Sequence, residues 1–281
     1  MTRQSFLATP DGPLALHWGG ANRGTPLLWV HGYTLDATLW APLWQRLPEF
    51  RHLGIDLPGH GASRPIGPTD DLAAFGRAVL MAAEAHGATM LVGMSFGGTV
   101  CLEAAAAAPT RFTAMLLGAP ALPGGPEDQE SADCNQELLR LARERGVGPW
   151  LAERWLSDPP AIFRGAMPET DLWQAVYATV HRHRWDELFS PAFAPRDTGL
   201  AGRLARVRTP VRLLVGDDEI PSFARTADLL RRIFPSATVG YVVDAGHLAL
   251  LERPDAAAAD IRTWVRSVGR VQPGSCNTII A

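Results

Sequence analysis

Short, mostly apolar runs alternate along the chain with longer stretches in which apolar residues recur at helical spacing. The runs at about 27–30, 51–55, 89–94, 113–118, 211–215 and 238–243 have the length of strands buried on both faces. Helical stretches separate them, as at 71–86 and 96–108, and such alternation predicts a parallel sheet covered on both sides. Two further runs, 5–8 and 14–18, flank Asp11-Gly12 and predict a hairpin that opens the sheet antiparallel. The fold class is therefore α/β, with an eight-stranded, mostly parallel sheet carrying one antiparallel strand near the N-terminus. The alanines of 104–108, ending at Pro109, give their helix a smooth face for close packing on the sheet.

One connection breaks the rhythm. Between the run ending at Leu117 and the one starting at Val211 lie about ninety residues, against the usual two to six, so an inserted subdomain is predicted at 120–207. The surrounding core is 1–119 with 208–268, and 269–281 reads as a loosely docked tail. The insertion opens with Pro120, Pro123, Gly124, Gly125 and Pro126, then shows helical patterns at about 127–145, 147–156 and 169–185; a short helix at 200–207 leads back to the sheet. It holds Trp150, Trp155, Trp173, Trp185, Phe163, Tyr177, Phe189 and Phe193. Most of these are expected to pack the insertion onto the sheet; Trp155, Trp173 and Tyr177 are candidates for the wall of an apolar substrate pocket.

Gly93-Met94-Ser95-Phe96-Gly97 follows an apolar run directly and precedes a helical one. A serine on such a sharp strand-to-helix turn needs small neighbours two residues away on each side, and the turn aims the next amide, that of Phe96, above the serine oxygen. Three more motifs fall in order. The run 27–30 ends in His31-Gly32-Tyr33, whose turn offers the Tyr33 amide as a second oxyanion donor; Asp56-Leu57-Pro58-Gly59-His60-Gly61-Ala62-Ser63 follows the next strand; and Asp244-Ala245-Gly246-His247 closes the last, ahead of Leu251-Glu252-Arg253-Pro254. Serine first and histidine last is one of three known chain orders for a Ser-His-acid triad.

On these residues the chain resembles the α/β-hydrolase superfamily, in its single-domain esterase, lactonase, C–C hydrolase and cofactor-free haloperoxidase-like branch. The resemblance covers roughly 5–119 and 208–268. It implies the three-layer αβα hydrolase fold and makes the insertion a helical cap that shapes substrate choice. It also supplies a frame for the triad acid. After the strand before it the family reads Gly-x-x-Asp, whereas Gly216-Asp217-Asp218-Glu219 puts glutamate at that point. The unshifted frame assigns Glu219, and a one-residue slip in the loop would give Asp218; Asp217 reads as a solvated loop carboxylate. Relatives with haloalkane dehalogenase or epoxide hydrolase activity carry aspartate at the elbow, so Ser95 argues against those reactions.

Ser95 needs an adjacent base with a pKa near working pH, which His247 supplies, and an acid that fixes the imidazole tautomer. His181 and His183 are two residues apart, about 200° around a helix, so they cannot share a metal as an i, i+4 pair could and are expected on a solvated face. His60, between two glycines, is expected to hold loop geometry. No metal or organic cofactor is called for.

Composition narrows the partners. The 281 residues are 47% hydrophobic and 20% charged, with a formal net charge of -3 and scattered basic residues, so no nucleic-acid stripe and no polybasic membrane patch is expected. All 26 basic residues are arginine, which excludes lysine nucleophiles and Schiff-base chemistry. Three cysteines, at 101, 134 and 276, have no metal-type spacing. Neither a signal-peptide pattern nor an apolar run of membrane-spanning length is read, so a cytoplasmic protein is expected. The reading is a serine hydrolase of small, largely apolar carboxylic esters, lactones or thioesters. Alternatives are C–C bond hydrolysis of a diketone-type substrate, acyl transfer or cyclisation in natural-product assembly, and a ligand-binding protein on the hydrolase scaffold.

Overall fold

The computed structural model describes residues 3–127, 129–157, 161–166, 170–190 and 198–270. The strands are β1 (Arg3–Leu7), β2 (Leu14–Gly20), β3 (Leu27–Val30), β4 (Arg51–Ile55), β5 (Met90–Met94), β6 (Ala114–Gly118), β7 (Val211–Gly216) and β8 (Thr238–Val242). The helices are α1 (Ala41–Gln45), α2 (Leu72–His86), α3 (Phe96–Ala107), α4 (Gln129–Arg145), α5 (Pro149–Ser157), α6 (Asp171–His181), α7 (Leu200–Leu204), α8 (Pro221–Ile233), α9 (Ala249–Glu252) and α10 (Pro254–Arg270). One sheet holds all eight strands in the order β1-β2-β4-β3-β5-β6-β7-β8. β2 runs antiparallel to both neighbours and the pairs from β4 to β8 are parallel. The predicted hairpin is present, joined by a loop in which Gly12 takes φ +116° and its amide bonds Thr9 O.

Alternation along the strands divides the core. In β3, Leu28 and Val30 bury with α2, α3 and α8 through Phe75, Val79, Val100, Leu102 and Leu230, while Leu27 and Trp29 bury on the other face with Leu43, Trp44 and Ile261. That second face also takes Leu138, Leu151, Trp155, Phe163, Val176 and Trp185 from the elements between β6 and β7. α4, α5 and α6 pack on one another there, whereas Leu200 and Leu204 of α7 join the first face beside α3. Arg203 of α7 forms a fork onto Glu103 of α3, with N–O distances of 2.8 and 2.6 Å.

Local chemistry sets the helix ends. The Asp71 carboxylate accepts from the Ala74 amide to start α2, and Gly87 at φ +67° ends it. α1 and the short 3-10 turn before it (Ala37–Trp40, capped by Asp36) carried no sequence signal long enough to predict. The third helix of the insertion is shorter than the 169–185 expected: α6 stops at His181, and Trp185 takes a left-handed φ of +65°. The tail boundary also moves, because α10 runs to Arg270; the rest of the tail, and Phe193, lie outside the described residues.

The loop after β4 is built around one buried acid. Asp56 accepts from the amides of Ala37 and Ala62 and from His17 Nε2, all at 3.0 Å. Burial alone would raise its pKa, but the hydrogen bond and charge of His17 outweigh that and hold it below the usual range.

Candidate active site

β5 runs straight into α3 through Ser95, whose backbone sits at φ 53°, ψ −124°. That conformation is strained for an L-residue and turns the side chain out above the C-terminal edge of the sheet. Gly97 shows why the flanks are small. A Cβ there would stand 2.3 Å from the carbonyl oxygens of both Val30 and His31, so only glycine lets α3 pass β3.

His247 arrives on the loop after β8 and Glu219 on the loop after β7. His247 Nε2 lies 2.8 Å from Ser95 Oγ, and His247 Nδ1 lies 2.9 Å from Glu219 Oε1. The carboxylate can only accept, so Nδ1 carries the proton and Nε2 presents its lone pair to the serine hydroxyl. Both side chains are almost fully buried, and the Phe223 ring packs 4.1 Å from the imidazole. Of the two candidate acids, Glu219 is therefore the one in contact; Asp218 is exposed. Asp217 is exposed as well, yet it is more than a solvated carboxylate. Its Oδ1 accepts from the Ala245 amide at 3.2 Å, and the amides of Ala245 and Asp244 hold its carboxyl below the usual range.

These two loops are laced together beneath the histidine. Asp217 N donates to Val242 O and Asp218 N to Ala245 O, both at 3.0 Å. Glu252, quoted in the sequence only as part of the run after His247, has a role that reasoning from sequence missed. Its carboxylate accepts from Gly246 N at 2.6 Å and from Leu248 N at 2.9 Å, the two amides that flank His247. Burial raises its pKa against the pull of those amides. The signal was the glutamate's place one turn past the histidine, where a side chain reaches back to the amides of a starting helix.

On the other side of Ser95, Phe96 is the first residue of α3. Gly32 lies against the serine, close enough that a Cβ there would be 3.5 Å from Ser95 Cβ, and Tyr33 follows it. Thr34, next in line, takes φ +61° and its hydroxyl donates to Tyr33 O at 2.7 Å. The Tyr33 hydroxyl, whose place the sequence left open, donates to Glu187 Oε1 at 3.1 Å.

A profile of the Alpha/beta hydrolase family matches residues 27–261. The chain belongs to that family. Within this alpha/beta hydrolase family it is 30% identical over 264 residues to 2-succinyl-6-hydroxy-2,4-cyclohexadiene-1-carboxylate synthase of Serratia proteamaculans, across 86% of this chain and 94% of that one. It is 27% identical over 262 residues to pimeloyl-[acyl-carrier protein] methyl ester esterase of Serratia marcescens, across 89% of this chain and 98% of that one. Among solved structures, a hydrolase from Pseudomonas aeruginosa superposes with a TM-score of 0.75 at 24% identity, over 94% of this chain and 98% of that one. An esterase from Exiguobacterium antarcticum gives 0.78 at 16%, over 94% and 100%.

The insertion of this alpha/beta hydrolase places its aromatic residues unevenly. Trp155 is buried, edge-on to Tyr33 at 5.8 Å and to Phe163 and Trp185 at 6.0 Å. Trp173 is half-buried beside Phe163. Tyr177 is 46% exposed with its ring against His181, which does not fit a place in a pocket wall. α6 buries Val176, Thr179 and Val180, and Tyr177 lies off that stripe.

His181 is exposed, but His183 corrects the expectation of a solvated face. With α6 ended at His181, His183 turns inward and is buried, its Nε2 2.7 Å from Glu187 Oε1. His60 is buried too, its Nδ1 donating to Pro58 O at 3.0 Å and its ring 4.7 Å from His183. Burial, then the neighbouring His183 and His31, push the His60 pKa well below the imidazole range.

A polar cavity of about 430 Å³ opens on the far side of the His247 loop, lined by Arg164, Gly165, Asp217, Asp218, Asp244 and Glu252 among others. None of Ser95, His247 and Glu219 borders it. Among the described residues no cluster of His, Cys, Asp and Glu could hold a metal ion, and no helix is long and apolar enough to cross a membrane.

Proposed function

We propose that this protein is a serine hydrolase that cleaves small, largely apolar carboxylic esters, lactones or thioesters through an acyl-Ser95 intermediate. The observation that carries the reading is the unbroken chain Glu219–His247–Ser95, with contacts of 2.9 and 2.8 Å ending on a strained serine. His247 Nε2 takes the hydroxyl proton as Ser95 Oγ attacks the carbonyl, and returns it to the departing alkoxide or thiolate. Water then attacks the acyl carbon as the same nitrogen takes its proton; the bond to Ser95 Oγ breaks, His247 returns the proton to that oxygen, and the acid leaves. Glu219 holds the Nδ1 proton and stabilises the transient imidazolium. The amides of Phe96 and Tyr33 receive the oxyanion, each worth about 3 kcal/mol in such sites. The likeness to an esterase supports ester cleavage.

The likeness to a synthase favours a second reading, in which the same residues act on a carbon–carbon bond or in a cyclisation. Labelling with a fluorophosphonate, followed by a panel of p-nitrophenyl esters, lactones, acyl thioesters and diketones, separates the two. Covalent label and acyl turnover in the unsubstituted protein, both lost in Ser95→Ala, are expected. Turnover confined to diketones supports the second reading, and neither label nor turnover favours a binding protein.

A further inference from the structure

Residues 182–190 leave α6 as a strap across two loops of the core, tied to the loop after β3 at Asp36 and Thr38 and to the loop after β4 at Ser63, Arg64 and Asp70. Arg182 Nε lies 2.8 Å from Asp36 Oδ2 and its Nη2 donates to Thr38 Oγ1 at 2.9 Å. Arg184 Nη2 donates to the carbonyls of Ser63 and Arg64 at 2.8 and 3.1 Å, and Ser190 Oγ to that of Asp70 at 2.7 Å. Glu187 reaches Tyr33 itself. Its carboxyl is fully buried, and Oε1 accepts both from His183 within the strap and from Tyr33 across the layer boundary. Burial, then Glu187 itself, raise the Tyr33 phenol pKa well above 10.0, so the hydroxyl stays a donor.

We propose that Glu187, oriented by His183, is a positioning residue that sets the Tyr33 amide over Ser95 by gripping the Tyr33 hydroxyl. This rests on the reading of Tyr33 as an oxyanion donor. The mechanical path is short and stiff. The Tyr33 ring is wedged edge-on between Trp155, His183 and His60 at 5.8, 6.0 and 6.4 Å. The peptide beyond it is pinned by Thr34, and the glycine before it abuts Ser95. A close-packed interior passes displacement on without absorbing it, so where the phenol goes the amide follows. The strap pays for this hold with strain, since Trp185 is both buried and left-handed. A carboxyl from the inserted layer thus completes a site whose other parts all belong to the sheet and its loops.

The test compares Tyr33→Phe, Glu187→Ala, Glu187→Gln and Ser190→Ala in the full chain, using the best p-nitrophenyl ester and a trifluoromethyl ketone whose hemiketal oxyanion occupies the same place. Tyr33→Phe and Glu187→Ala are expected to lose about tenfold in kcat, a part of the hundredfold or more that follows loss of an oxyanion donor. KM stays within about twofold and the ketone binds weaker by the same factor as kcat falls. Glu187→Gln, whose amide oxygen still accepts from the phenol, recovers most of the rate. Ser190→Ala, which loses a strap tie away from Tyr33, keeps wild-type kcat. If Glu187→Ala does not fold, Tyr33→Phe decides alone, because it keeps the ring. Wild-type kcat in Tyr33→Phe, or equal losses in Ser190→Ala, overturns the inference and leaves the hydrolase reading standing. An unsubstituted protein with neither label nor turnover overturns that reading and this inference with it.

Discussion

Glu219 meets His247 Nδ1 and the Ile220 amide with the same oxygen, at 2.9 and 2.8 Å. Its other oxygen is buried with no hydrogen-bond partner among the described residues. One oxygen therefore carries both the tautomer of the histidine and the turn into α8. Glu219→Gln keeps the shape of the side chain but loses the charge that holds the tautomer, and should lower kcat by several orders of magnitude, about 10⁴; Glu219→Ala loses the orienting contact as well and should fall at least as far. Asp218→Asn should stay within about twofold, an estimate for an exposed side chain outside such a contact. The opposite ranking in steady-state kinetics would move the acid to Asp218.

What was legible here was local. The elbow, the His-Gly turn and the Asp-Ala-Gly-His loop each announce themselves within eight residues, because backbone strain and close passage demand small residues nearby. Glu219 was reachable only through the resemblance, whose frame puts the triad acid three residues past Gly216. The strap was not. His181-Arg182-His183-Arg184 reads as a polar helix end, no glycine or proline marks the stop of α6, and nothing in the sequence foretells a left-handed Trp185. The partners of the strap, Tyr33 and Asp36, stand about 150 residues away, beyond any periodicity.

Glu252 closes the site from below, and its burial makes it a sharp test of how much the His247 loop depends on it. Glu252→Gln keeps one acceptor oxygen and turns the other into a donor facing an amide. A buried unsatisfied donor costs about 1–3 kcal/mol, so the melting temperature should fall by several degrees. Because the disturbed amide belongs to Gly246 or Leu248, kcat should drop about tenfold through misplacement of the imidazole. Thermal melts and kinetics on the same preparation check both, and full activity in a destabilised Glu252→Gln would confine the residue to folding.

His52 links stability to pH with a direction that its hydrogen bonds fix. Its Nδ1 accepts from Trp29 Nε1 at 3.1 Å, its Nε2 donates to Leu47 O at 2.9 Å, and the ring stacks on Trp44 at 5.3 Å. A proton on Nδ1 would break the first of these. Burial pushes its pKa from 6.5 down to about 4 against the pull of the Leu47 carbonyl. Above pH 6.5 both folded and unfolded chains hold His52 neutral and its full contribution is present. As pH falls from 6.5 toward 4 the unfolded chain takes up a proton that the folded one refuses, so stability drops by up to about 1.4 kcal/mol per pH unit, about 3 kcal/mol in all. His17 works the other way. Burial there is outweighed by the hydrogen bond and charge of Asp56, its pKa is raised, and its contribution is present below 6.5 and lost as pH rises through the elevated value. Urea unfolding from pH 5 to pH 9 should therefore show the gap between the wild type and His52→Gln narrowing on acidification below 6.5, and that between the wild type and His17→Gln narrowing as pH rises above 6.5. Parallel pH profiles for the wild type and His52→Gln would mean that His52 binds its proton in the folded state after all.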